Sequence, residues 1–280
     1  MTGDPRPGGH QEAGSSHREQ NRVHEHLVTE RAGGVEVLRV DRPAALGALS
    51  RGMLLALREH LTDLHADESV RVLIVTGTGK GFIAGADIRE YHGVSQRDFD
   101  AYQRLSRAVF DALAALPQVT IAAVNGYALG GGFEVALSCD LIVASDRARF
   151  GLPEINLGLL PGGGGTQRLA RAAGVRFATE AVLTGRFYPA RKLHDRGVVN
   201  EVHSPDELLP RTRELAATIA AKAPVAVRAA KRLVADGARM PLDVGLTVEQ
   251  QVLSGLYATA DAAEGVAAFL DKRQPTFTGR

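Results

Sequence analysis

Tryptophan is absent from this chain of 280 residues, and cysteine occurs once, at Cys139. A single thiol excludes an intrachain disulfide framework and a cysteine-built metal site. In an apolar stretch such a residue packs as a small core group. No apolar run approaches the ~18 residues that a membrane-spanning helix requires, so no membrane partner is expected. An excess of one charge is missing too: 33 Lys and Arg face 32 Asp and Glu, for a formal net charge of +1. With no basic run to follow a phosphate backbone, nothing favours nucleic acid as a partner. The nine histidines are scattered without metal-ligand spacing, and no metal is expected. Apolar residues are nearly absent at the start, where residues 1–22 offer only Met1 and Ala13. No secretory signal is expected in such a segment, which cannot bury enough surface to offset its ordering entropy. Residues 1–25 are expected to form a flexible tail, and the cytoplasm is the expected compartment.

What is present is an ordinary globular composition, 45% apolar and 23% charged. Residues 26–41 alternate as two strands turning at Gly33–Gly34. Ser50 is placed to cap a helix with Met53, Leu54, Leu57, Leu61 and Leu64 on one face. The short apolar runs RVLIVTG (71–77), VTIAAVNG (119–126) and LIVAS (141–145) predict buried strands. Residues 98–115 between them predict a helix. Beyond Val202 the pattern is helical throughout, with periodic Ala-rich segments at 205–222, 225–237 and 242–270. The organisation expected is an α/β core over 26–202 and a helical C-terminal region over 203–280. Helices with little core of their own commonly pack on another subunit, so a homo-oligomer is expected.

Three glycine-rich turns flank the strands, which raises phosphate binding as a possibility to test. GTGKGF (77–82) has Ile74 where a P-loop begins with Gly, and no Ser or Thr after Lys80. The run from Gly130 has Val135 at the third glycine of a dinucleotide fingerprint, and the run at 161–165 has Arg168 there. Neither nucleoside triphosphate nor NAD is supported. Gly131, at a helix start, offers unpaired backbone N–H groups that favour negative charge and let a ligand approach closely. Tight strand–helix packing would use the same glycines. Glu134 follows in the first turn of that helix, and Glu154 follows Pro153 in FGLPEI. Taken singly, the first suits the helix dipole and the second suits solvent. Their neighbours are apolar or glycine, which raises a carboxyl pKa by desolvation and opens acid/base chemistry near pH 7.

Taken in order, five segments resemble the enoyl-CoA hydratase/isomerase, or crotonase, family. They are DRPAALGALS (41–50), GFIAGADIRE (81–90), VNGYALGGGFEVALSCDLIVAS (124–145), FGLPEINLGLLPGGGGTQRL (150–169) and AFLDKRQPTFTG (268–279). The resemblance spans roughly residues 27–279. It implies an α/β fold built as a spiral of β-β-α units, with a helical region that assembles a trimer or a dimer of trimers.

The resemblance also implies an activity: addition of water to a trans-2-enoyl-CoA, giving 3-hydroxyacyl-CoA, by a hydro-lyase of fatty acid metabolism. Backbone N–H groups of Ala86 and Gly131 would form an oxyanion hole, Gly162 would help hold the water, and Glu134 and Glu154 would be the acid/base pair. Lys80, Ile83, Ala84, Ala86, Asp87 and Ile88 would bind coenzyme A, and Phe269 and Lys272 would reach a neighbouring subunit's CoA. CoA belongs to the substrate, so no separate cofactor is implied. Gly47 stands where members often carry Asn, and Ile83 where a small residue or Cys is usual. Tyr91 and His92 fall near the presumed acyl pocket, with His92 expected at the surface. The competing expectations are an enoyl-CoA isomerase, which needs one dominant base, and a non-catalytic CoA- or RNA-binding member.

Overall fold

The computed structural model describes residues 19–280, with the backbone alone at residues 19 and 20. It opens with β1 (Glu19–His24), β2 (Leu27–Ala32) and β3 (Val35–Val40), then α1 (Arg51–Ala66). Next come β4 (Val72–Gly77), β5 (Gly81–Ile83), α2 (Gln96–Ala115), β6 (Val119–Val124), β7 (Tyr127–Leu129) and α3 (Gly131–Ala136). The third set is β8 (Leu141–Ser145), β9 (Arg149–Gly151), α4 (Gly165–Ala173), α5 (Val175–Thr184), β10 (Tyr188–Pro189), α6 (Ala190–His194) and β11 (Glu201–His203). Four helices complete the chain: α7 (Pro205–Ala220), α8 (Pro224–Gly237), α9 (Leu242–Tyr257) and α10 (Ala260–Leu270).

Two sheets result. The larger has seven strands in the order β1-β2-β3-β4-β6-β8-β11, parallel from β3 onward. The smaller holds β5, β7 and β9 in parallel, with β10 antiparallel at its edge. Each long strand β4, β6 and β8 is followed by a short one in the other sheet and then by a helix. The chain therefore advances as a spiral of β-β-α units.

Strand alternation sorts the core into two layers. Leu73, Val75, Ala122, Val124, Ile142 and Ala144 point to the side covered by α1 and α2. Val72, Ile74, Ile121, Ala123 and Val143 point to the other side, against Leu208, Ala216 and Ala220 of α7. Both faces being covered explains why these strands read as continuous apolar runs. Helix α7 thus closes the sheet, although it lies within the stretch that the sequence assigns to a separate helical region. Helices α8 and α9 have no buried residue, and Leu242, Leu253 and Tyr257 are 78%, 57% and 80% exposed.

Several local features follow the sequence closely. Ser50 Oγ accepts from the Met53 N–H at 3.3 Å, and Gly33 and Gly34 turn the β2–β3 hairpin at φ of 57° and 75°. The expected tail requires a correction from residue 19 onward. β1 pairs antiparallel with β2, from Glu19 opposite Arg31 to His24 opposite Leu27. An edge strand is held by backbone hydrogen bonds and needs little apolar alternation, and EQNRVH has only Val23 to pack against the core. Residues 1–18 lie outside the described residues. The single helical segment expected over 242–270 is broken after Tyr257, where Thr259 Oγ1 accepts from the Ala262 N–H at 3.1 Å and starts α10 afresh.

One buried polar cluster sits away from the loops. Glu36, fully buried on β3, accepts from Arg31 Nε at 2.6 Å through Oε2 and meets His60 Nε2 of α1 through Oε1. It lies on the α1 side of the sheet with Leu38 and Val40.

Candidate active site

The loops after β5, β7 and β9 converge on one cavity of about 430 Å³. Ala84, Gly85, Ala86 and Ile88 come from the first, Gly130, Gly131 and Glu134 from the second, and Pro153 and Glu154 from the third. Gly162 and Gly163 close it from the loop before α4, and Tyr91, Tyr102, Gln103, Ser106 and Phe110 from the α2 side.

The first loop is aimed by one isolated bridge. Leu49 donates its N–H to Gly85 O at 2.9 Å and accepts from the Asp87 N–H at 2.8 Å. Ala86, the residue between, is left with its N–H on the opposite side, toward the cavity it lines. Across from it, α3 begins at Gly131 after Gly130, whose φ of 51° and ψ of −123° suit glycine. The Gly131 N–H has no acceptor within its own helix. A Cβ built on Gly131 would lie 3.9 Å from the Ala86 N, so the two donors are neighbours. The approach is secured one residue on, because a Cβ at Gly132 would overlap Ile83 O at 1.7 Å.

Glu134 is 3% exposed, and its Oε1 accepts from both Gly163 and Gly165 N–H groups at 2.8 Å each. Burial nevertheless pushes its pKa up, against the pull of those two donors. The glycines are required by space: a Cβ at Gly163 would stand 2.4 Å from Phe110 and 2.7 Å from Glu134 Oε2. Glu154 sits in a single 3-10 turn, Pro153–Leu157. Its Oε2 is buried and has no hydrogen-bond partner among the described residues. Burial, with a smaller contribution from the Glu134 charge, raises its carboxyl to about 7. One carboxylate is therefore clamped, while the other keeps an oxygen free for something that enters the cavity.

The remaining expected residues divide. Ala84 and Ile88 line the cavity, and Lys80 is exposed. The Ala84 N–H is taken by Leu46 O at 3.0 Å. Ile83 is 1% exposed and packs in the core, its carbonyl against Gly132. The Asp87 carboxylate is held by Arg42 at 2.8 Å and Arg89 at 2.6 Å, with Arg89 chiefly keeping it well below the usual carboxylate range. It shapes the loop and does not line the cavity. Phe269, 83% exposed, and Lys272, at φ 54°, lie at and beyond the end of α10, away from the lining. His92 is exposed and outside the lining. Gly47 takes a φ of 78°, and a Cβ there would stand 2.6 Å from Phe82 O, so glycine suits its turn. Sequence reasoning missed the anchoring of Glu134 by Gly163 and Gly165, for which the four successive glycines at 162–165 are the signal. It also missed Gln103 and Ser106, which nothing in an amphipathic helix distinguishes.

Comparison with known proteins places nearly the whole chain. A model of the enoyl-CoA hydratase/isomerase family matches residues 30–280. Crotonyl-CoA hydratase of Syntrophomonas wolfei is 38% identical over 259 residues, covering 92% of this chain and 100% of that protein. The 2,3-dehydroadipyl-CoA hydratase of Escherichia coli is 41% identical over 255 residues, covering 91% and 99%. The crystal structure of enoyl-CoA hydratase from Bacillus anthracis matches with a TM-score of 0.89 at 37% identity, over 91% of this chain and 100% of that one. With a family model matching residues 30–280, full-length relatives near 40% identity and the same fold in a solved structure, the chain belongs to the enoyl-CoA hydratase/isomerase family.

Proposed function

We propose that this chain is an enoyl-CoA hydratase, a hydro-lyase that adds water in the syn sense to trans-2-enoyl-CoA. The observation that carries the proposal is the pair of carboxylates bordering one cavity, Glu134 clamped and Glu154 with Oε2 unpartnered. The hydratase names borne by relatives about 40% identical over nearly the whole chain support it. The thioester oxygen accepts from the Ala86 and Gly131 N–H groups, which makes C3 electrophilic and stabilises the enolate. A water held between the two carboxylates, close to Gly162, bonds through its oxygen to C3 and yields its proton to Glu134. The C2=C3 electron pair moves to the thioester oxygen, and the enolate then collapses as C2 takes the proton of Glu154. With both carboxylates on one side of the substrate, both additions occur on the same face. Two carboxylates and backbone donors complete the step, so CoA enters only as part of the substrate.

Exposed Lys80 and the cavity-lining Ile88 are suited to receive the nucleotide and pantetheine parts of CoA, with Ala84 and Ala86 offering backbone groups. The exposed apolar side chains of α9 and α10 suit packing against another copy of this chain, and the family resemblance implies a trimer or dimer of trimers in which Phe269 and Lys272 approach a neighbour's CoA. The deciding assay is the loss of conjugated-thioester absorbance with 2-enoyl-CoA substrates from C4 to C16. Hydration of at least one length is expected. Isomerisation without hydration would transfer the site to proton shuttling by a single base, and CoA binding without turnover would make the chain a non-catalytic binder.

A further inference from the structure

Most polar side chains at the cavity wall have their hydrogens committed. Tyr102 O–H donates to Leu49 O at 2.9 Å, and Ser106 O–H donates to Tyr102 O at 2.7 Å. Tyr91 differs. Its oxygen accepts from Gln103 Nε2 at 3.0 Å, while its own hydrogen meets no acceptor among the described residues. The ring is fixed edge-on against Phe99 and Tyr102, with centroids 5.2 and 5.5 Å away. Gln103 has room for this contact because position 162 is glycine: its Oε1 lies 2.6 Å from where a Gly162 side chain would begin. A hydroxyl donor is thus held in a set orientation on a largely apolar wall. Burial, with smaller effects from the Glu134 and Glu154 charges, raises the Tyr91 pKa, so the phenol stays protonated.

The geometry points to Tyr91 as a specificity-determining donor that selects acyl groups carrying a neutral oxygen acceptor, such as a hydroxyl or carbonyl, beyond C3. This deepens the hydratase proposal and rests on it for the identity of the site. The charge balance excludes the other oxygenated class. Among the described residues no Lys, Arg or His lines the cavity, whereas Glu134 and Glu154 do. A terminal carboxylate would meet two carboxyl groups and no cation. A neutral oxygen gains the Tyr91 hydrogen bond without that cost. A plain alkyl chain instead leaves the donor buried and unpaired.

The experiment measures kcat/KM for 2-hexenoyl-CoA, its 4-, 5- and 6-hydroxy derivatives, and the C6 thioester ending in a carboxylate. It uses the wild-type protein and Tyr91→Phe. In the wild type at least one hydroxylated substrate should exceed the plain one by about tenfold, the scale of a buried donor left unpaired. The carboxylated substrate should be the poorest. In Tyr91→Phe the hydroxylated-to-plain ratio should fall to near one. A wild-type ratio near one at all three positions, a preference for the carboxylate, or an unchanged ratio in Tyr91→Phe would overturn the assignment. Calorimetric binding of the matching saturated acyl-CoA thioesters separates the two proposals. The same ratio in binding, lost in Tyr91→Phe, supports the donor role even if no substrate is hydrated. Equal binding of all of them speaks against it whatever the turnover.

Discussion

Glu154 Oε1 lies where a side chain on Gly130 would begin: a Cβ there would stand 2.8 Å away. The residue that caps α3 and the carboxyl that follows β9 therefore fit together only because Gly130 has no side chain. Gly130→Ala should push Glu154 out of position and add strain at a φ of 51°. Turnover should fall by about 10² or more while the far-ultraviolet circular dichroism stays native. Near-normal kcat would show that the placement of Glu154 is not critical.

The two carboxylates should behave as a unit. Glu134→Gln and Glu154→Gln should each cost roughly 10²–10⁴ in kcat. The double variant should be little worse than the poorer single one, because groups acting on one water are non-additive. Binding of a saturated acyl-CoA should persist in all three. Strictly multiplicative losses would count against a shared water.

The pH dependence follows from the sign of the shifts. Glu154, raised to about 7, is a proton donor below that pH and loses the role above it. kcat/KM should have a descending limb near pH 7, and Glu154→Gln should remove that limb. Stability carries the same sign. A carboxyl with a raised folded pKa supports the fold fully below the ordinary glutamate value of 4.5 and loses that support as pH climbs toward 7. Thermal scans from pH 4.5 to 7 should slope downward less steeply in Glu154→Gln.

Away from the cavity, Glu36 tests the core. Glu36→Ala leaves His60, 9% exposed, without its carboxylate, while half-exposed Arg31 regains water. Denaturant unfolding should show a loss of about 2 kcal/mol, with kcat unaltered. A change under about 0.5 kcal/mol, the range of an ordinary surface substitution, would mean that the cluster adds nothing.

The strands of the large sheet were legible because burial on both faces leaves continuous apolar runs such as VLIVTG and VTIAAV. Glu134 and Glu154 were legible through their glycine and apolar surroundings and through the resemblance. The short strands of the second sheet were not. β5, β7 and β9 have three residues each, too few for any period, and two of them hold glycine. β1 was hidden because backbone pairing at a sheet edge leaves no mark on side-chain pattern. The free hydrogen of Tyr91 depends on which neighbours are satisfied, and that is a property of packing alone.

The spiral has a consequence for how this site can change. Each coil of the chain delivers its own instruments to the cavity: Ala86 after β5, Gly131 and Glu134 after β7, Glu154 after β9. The rungs beneath them are joined by backbone pairing and not by the instruments themselves. On the proposed roles, a substitution at the tip of one coil retires a proton donor while Ala86 and Gly131 still offer their N–H groups. Chemistry on such a scaffold is exchangeable one coil at a time.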